Sequence, residues 1–187
     1  MNVQQWLRNE NTIKRSKKSY AHFDYRTDIG SCSDYITDPD KVSKHGFYPF
    51  IHYEIKMVKF SKEKGKKPPK IRDICYASHI DRCIYQYYNY ILNAKYNERI
   101  RNDGIASVPV AYRTDLHQNN IHFAKRAFDF IRESKSCYIM IGDFTGFFDN
   151  LDHGYLKKQW CSLIGKECLP KDHYAVFKNI TRYSKWE

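Results

Sequence analysis

Asp143 stands at the end of an apolar run, residues 137–141 (CYIMI), and is followed by Gly146, the paired rings Phe147 and Phe148, and Asp149-Asn150-Leu151-Asp152-His153. A carboxylate at the end of a buried strand, with an aromatic wall five residues on, suits a site that holds a divalent cation beside a nucleotide. The matching chemistry is in-line phosphoryl transfer. Two Mg²⁺ ions about 3.5–4 Å apart activate the attacking hydroxyl and stabilise the leaving pyrophosphate. Mg²⁺ is a hard ion that takes few carboxylates, completing its shell with phosphates and water. Asp143 is the candidate catalytic ligand, joined by the backbone carbonyl of Phe144 if the strand ends there. An isolated Asp after such a run equally caps a turn, so the assignment leans on the residues around it.

The elements that must position this group can be read from periodicity and punctuation. Residues 137–141 favour a strand, and the turn after them feeds a helix from about His153 to Leu163, closed by Gly165. A last helix begins at Leu169-Pro170, with Val176, Phe177, Ile180 and Tyr183 facing inward. Upstream, Asp38-Pro39 reads as an N-cap followed by proline at the first helical position. Residues 54–60 and 70–76 read as two strands of a hairpin around the polar turn 61–67 (SKEKGKK). Ser78-x-x-Asp81 opens a helix as a capping box, and apolar residues at helical spacing carry it to about Asn93. Its tyrosines, Tyr85, Tyr87, Tyr88 and Tyr90, suit either core packing or base stacking. Residues 108–113 (VPVAYR) are extended, with Pro109 marking an irregular or edge strand. Asn119 or Asn120 caps a helix that ends near Ser134.

Thirty-two Lys and Arg against 21 Asp and Glu leave a net charge of +11, which favours a polyanionic partner. The basic cluster Lys14, Arg15, Lys17 and Lys18 lies in residues 1–19, which read as a loose arm. It either contacts phosphates or is simply solvated. No apolar run approaches the roughly 20 residues that span a bilayer, and the first residues lack a secretory apolar core. The expectation is therefore a cytoplasmic chain without a membrane partner. The six cysteines form no C-x-x-C pair and read as reduced, packed thiols. The fold class expected is α+β.

The segment from Asp143 to His153 resembles motif A of the reverse transcriptases, D-x-x-x-F-F-D followed by Leu/Ile-Asp-His. The likeness is greatest to the bacterial retron, group II intron and phage-defence branches. The resemblance implies a fingers subdomain over residues 20–136 and the first part of a right-hand polymerase palm over 137–187. It implies that Phe148 lies under the sugar of the incoming nucleotide and selects deoxyribonucleotides, and that Gly146 and Phe147 offer backbone N–H groups to the triphosphate. Arg72 matches the arginine such enzymes place over the triphosphate, a role suited to its planar fork of donors. Lys70 and Lys67 are weaker candidates for the same work. Ser78-His79-Ile80-Asp81-Arg82 through Gln86 resembles the D-R-x-x-Q helix behind the fingers. Ala111-Tyr112-Arg113 resembles an (A/G)-(Y/F)-R segment, making Arg113 a nucleotide-binding candidate or a structural ion pair. Asp149, Asp152 and His153 match the pattern but are assigned to the turn and helix start.

What the resemblance implies is an RNA-directed DNA polymerase using two Mg²⁺ ions, an RNA template, a DNA or RNA primer and dNTPs, in anti-phage defence or a mobile element. The 187 residues hold no Asp-Asp dipeptide, so the family's Y-x-D-D carboxylates are not among them. One ligand of three cannot hold two ions, and no polymerisation is expected from these residues alone. A second chain or a C-terminal half would have to carry Y-x-D-D. The competing reading is a non-catalytic RNA-binding module that keeps the basic surface, and a third is a protein-binding adaptor with a Tyr-rich face.

Overall fold

A computed structural model describes residues 2–58, 60–61, 65–66, 69–113 and 115–187. The architecture is α+β, helix-rich with a small mixed sheet. The chain forms two compact units, Met1–Ile91 with Glu167–Glu187, and Leu92–Lys166.

In the first unit the N-terminal residues are not a loose arm. They form α1 (Val3–Arg8) and α2 (Glu10–Ser16). Asn2 and Gln5 make a reciprocal capping box on α1, and the Asn9 side chain caps α2 by accepting from Thr12 N–H. Such caps satisfy the orphan N–H groups of a helix start. Leu7 is buried, and Trp6 stacks on Tyr90 with ring centroids 4.4 Å apart. Two short helices follow, α3 (Ser33–Ile36) and α4 (Pro39–Ser43). Asp38 caps α4 from the expected place, accepting from the Asp40 and Lys41 N–H groups. The core of this unit includes Ile29, Ile36, Val42, Cys83, Ile84, Tyr88, Val176 and Phe177.

The hairpin is present, with longer pairing than the sequence suggests. Strand β1 (Phe50–Met57) runs antiparallel to a later strand, Lys70–Tyr76. Between them the backbone closes a smaller ladder, β2 (Phe60–Ser61) with β3 (Gly65–Lys66), so Lys70–Tyr76 is β4. β1 begins four residues before the expected Glu54 because Ile51 still finds Tyr76 as its partner. Beyond its base, most of the hairpin is exposed on both faces.

Helix α5 (His79–Asn102) outruns the expected Asn93. Ala94, Lys95, Glu98, Arg99 and Arg101 are strong helix formers, and no breaker comes before Asp103-Gly104. Gly104 takes the left-handed φ of 71° there. Its tyrosines pack rather than form an open platform. Tyr85 stacks on Phe47, and Tyr88 donates from its buried hydroxyl to Asp172 Oδ2 at 2.7 Å.

In the second unit, α6 (Asn120–Glu133) is capped by Asn119, and α7 (His153–Ile164) by the Asp152 side chain, which accepts from Tyr155 N–H at 2.8 Å. Gly165 closes α7 with φ 67°, as its position suggests. Residues 108–113 form turns and irregular backbone instead of a strand, and Tyr112 adopts φ 58°. The strand expected at 137–141 is also absent. These residues have no ladder partner among those described, and a strand is stable only as a member of a sheet. α6 likewise buries none of its residues, although Ile121 and Phe128 recur on an apolar stripe.

The chain returns to the first unit as α8 (Lys171–Thr181), which packs on α4, and β5 (Lys185–Trp186), which adds in parallel to β1 at Phe50 and Ile51. Val176 and Phe177 face inward as expected, but Ile180 and Tyr183 are exposed. All six cysteines are free thiols. No helix of the described residues is long and apolar enough to cross a membrane.

Candidate functional site

The Asp143 segment is a sequence of turns whose hub is the Gly146 carbonyl. It accepts from Asp149 N–H and Asn150 N–H, each at 3.1 Å, and from the Asn150 side-chain amide at 2.8 Å. Gly146 holds φ 63°, and a Cβ there would lie 3.0 Å from Asn150 Nδ2, so both the turn's hand and its tightness call for glycine. Neither the Gly146 nor the Phe147 N–H is a donor among the described bonds. The rings form an exposed row. Phe144 and Phe147 lie 6.2 Å apart, Phe147 and Phe148 5.3 Å apart edge to face, and Phe148 is 71% exposed.

Asp143 is exposed, and its Oδ1 accepts from the N–H of Phe144 at 2.9 Å. A solvated carboxylate is a suitable hard ligand for Mg²⁺. Among the described residues, though, no three His, Cys, Asp or Glu side chains converge as a cation site. The residues present therefore supply one ligand's chemistry and not a complete two-ion centre. The run leading to Asp143 is bare, with Tyr138 and Met140 essentially fully exposed.

Arg113 also belongs to the second unit, and here the ion-pair reading has the geometry. Its guanidinium is buried and grips Asp115 with two bonds, Nε to Oδ1 at 3.1 Å and Nη2 to Oδ2 at 2.7 Å. Nη1 donates to the carbonyls of Ala106 and Pro109. The bond to Arg113 holds the Asp115 carboxyl below its ordinary range despite partial desolvation. With every nitrogen engaged and the guanidinium buried, Arg113 supports the irregular loop.

The hairpin candidates lie in the first unit. Arg72 sits opposite Ile55 and Lys70 opposite Met57. Directly opposed residues share a sheet face, so both cations project from the face that also carries Tyr53 and Ile74. Arg72, Lys70 and Tyr53 are exposed, giving two cationic heads beside an accessible ring. The other face carries His52, whose Nε2 lies 3.1 Å from Asp73 Oδ1. Lys67 falls outside the described residues. Lys14, Arg15, Lys17 and Lys18 are all exposed, at and beyond the C-terminal end of α2, while Ser16 among them turns inward and accepts from Ile29 N–H at 3.0 Å.

Sequence reasoning missed a second group of chemically capable residues, at the root of the hairpin. Asp81 accepts from His45 Nε2 at 2.7 Å and from Tyr48 N–H at 2.9 Å, and Asp24 is bonded to His79 Nδ1 and Ile80 N–H, each at 2.9 Å. The Ser78 capping box is thus half made: Asp81 N–H donates to Ser78 Oγ at 3.2 Å, but the Asp81 carboxylate is turned to His45 and Tyr48. The available signal was the repeated tripeptide His-x-Asp, at His22-Phe23-Asp24 and His79-Ile80-Asp81.

No protein-family model matches the chain, and no curated protein matches it.

Proposed function

We propose that this chain is the fingers and the first part of the palm of an RNA-directed DNA polymerase, with Asp143 one of its metal-binding carboxylates. The observation that carries the reading is the bare apolar run 137–141 ending in Asp143 and leading to the glycine turn and exposed Phe147 and Phe148. A strand-forming run with no ladder partner among the described residues, next in sequence to a helix that buries no residue, is what part of a sheet looks like without its neighbours. The run is chemically suited to be a palm strand that further strands would cover.

In this reading Asp143 offers an oxygen to Mg²⁺. When bound in the complete site, the two ions would supply activation of the primer hydroxyl and stabilisation of the pyrophosphate. The protein's own residues do the rest. The Gly146 and Phe147 N–H groups donate to a triphosphate oxygen, Phe148 excludes a 2′-hydroxyl, and Arg72 and Lys70 draw the phosphates to the hairpin face. Arg113 holds its loop and takes no part in nucleotide binding. One carboxylate does not assemble two ions, so these 187 residues are inactive until further carboxylates join them from a continuation of the chain or another polypeptide. Defence against phage or movement of a genetic element is the biological setting proposed.

The test is primer extension on an RNA template with dNTPs and Mg²⁺, using the complete gene product. Deoxynucleotide incorporation supports the reading, and its absence alongside a downstream coding sequence without Y-x-D-D overturns it. The four exposed cations at the end of α2 favour a second reading, an RNA-binding module without catalysis. That reading requires affinity that falls steeply with salt and no incorporation under any metal.

A further inference from the structure

The hairpin's attachment depends on a small number of buried groups. Most of β1 and β4 is exposed, so little packing holds them to the first unit. At the root, Tyr48 N–H reaches Asp81 two residues before β1 begins. Three residues after β4 ends, His79 binds Asp24. Segment 20–24 is stitched alongside, with Tyr20 donating to the Ala77 carbonyl at 2.9 Å and Tyr76 to the Ala21 carbonyl at 3.3 Å. Both ends of the hairpin are therefore fastened through two carboxylates and their histidines.

The buried nitrogens without a hydrogen bond in this group are both of His22, Nε2 of His79 and the three of Arg82, and His22 is the imidazole with neither nitrogen bonded. Its side chain is fully buried, neither ring nitrogen bonds another side chain, Nδ1 lies 3.8 Å from Asp24 Oδ1, and the Pro49 backbone also approaches the ring. The rings of Phe23, Tyr48 and Tyr76 surround it edge to face. The titratable and charged groups around the site are Asp24 on its own segment, His45 and Tyr48 before β1, Tyr76 on β4, and His79, Asp81 and Arg82 on α5, with Tyr20 stacked on His79. Asp24 Oδ1 is already engaged by His79 Nδ1.

We propose that this cluster is an acid-labile catch: a proton taken up by His22 competes for Asp24, breaks its bond to His79, and frees the root of the hairpin. A buried imidazolium must find an acceptor or reach water, and the nearest carboxylate oxygen is the one that fastens α5. Burial keeps the His22 imidazole below its ordinary value, although Asp24 and Asp81 pull the other way. The unfolded or opened form therefore binds the proton more readily. Protection of the root is complete above the free imidazole value and falls as pH drops below about 6.5. This inference is independent of the polymerase reading.

Hydrogen exchange of the whole chain, corrected for the intrinsic pH dependence, tests it. At pH 7.5 the amides of Tyr48 and Ile80 are expected to be protected. At pH 5.5 that protection falls by up to about tenfold, the most a single proton contributes over one pH unit. The His22→Phe protein keeps the ring and cannot titrate, so it should hold its protection at both pH values. Equal loss in the wild type and His22→Phe, or no loss in the wild type, overturns the catch. Should His22→Phe fail to fold, an NMR titration of the wild-type imidazoles decides the matter: a His22 midpoint below 6.5 that tracks the Ile80 amide shift supports it, and one at or above 6.5 overturns it.

Discussion

Replacing Tyr88 by Phe should cost the first unit about 2 kcal/mol. The Tyr88 side chain is 2% exposed, and its hydroxyl donates to Asp172 Oδ2 at 2.7 Å, joining the middle of α5 to the first turn of α8. Phenylalanine keeps the ring and its buried apolar area, so the packing term nearly cancels. What is lost is a hydrogen bond to a carboxylate, worth about 1.5–3 kcal/mol when the acceptor is left buried. Asp172 is itself 9% exposed, so water cannot readily replace the donor. Burial and the Asp172 bond both push the Tyr88 hydroxyl well above the ordinary tyrosine range, so it remains a donor throughout any practical pH. For a chain of this size, about 2 kcal/mol corresponds to a fall of roughly 4–8 °C in Tm. Urea unfolding followed by far-UV circular dichroism should show a lower midpoint with an unchanged slope. A double-mutant cycle with Asp172→Ala then isolates the pair, and a coupling of about 1–2 kcal/mol is expected. A Tyr88→Phe protein within about 0.5 kcal/mol of wild type, or strict additivity with Asp172→Ala, would refute the link between α5 and α8.

Two other substitutions separate backbone and charge effects. Gly165→Ala should destabilise the second unit by about 1–2 kcal/mol, the penalty for an L-residue at left-handed φ. Gly142→Ala, where a Cβ meets nothing within 4 Å and φ is not left-handed, should have no measurable effect, and equal losses in thermal melts would dismiss the capping explanation. Replacing Lys14, Arg15, Lys17 and Lys18 by alanine should weaken single-stranded RNA binding. Titrations at several salt concentrations should show a slope shallower by up to about 0.7 for each contact removed, whereas an unaltered slope would place the RNA elsewhere.

Local chemistry was the most legible part of this sequence. Asp38-Pro39, Asn119 and Gly165 mark helix ends by satisfying or releasing backbone groups within a few residues, and each does so in the structure. The strand expected at 137–141 does not form among the described residues, because strand propensity is local while strand formation requires a partner. The N-terminal helices carried a readable signal in Asn2 and Gln5, obscured by the polar composition around them. β5 is two residues long, too short for any periodicity. At the candidate site, the glycine turn and the Asp152 cap follow from sequence. The sequence left Arg113 between two roles, and the choice depends on carbonyls at Ala106 and Pro109 that only the loop's path brings close. The cluster at the hairpin root was hidden by separation, since Asp24 and His79 are 55 residues apart.

The most direct measurement of the central claim compares the complete gene product with its Asp143→Ala variant in Mg²⁺-dependent primer extension. A carboxylate that holds a catalytic cation lowers the barrier by several kcal/mol, so the variant should extend the primer about 10²–10³-fold more slowly while binding RNA as before. Equal rates for the two proteins would contradict the assignment of Asp143 and the polymerase reading built on it.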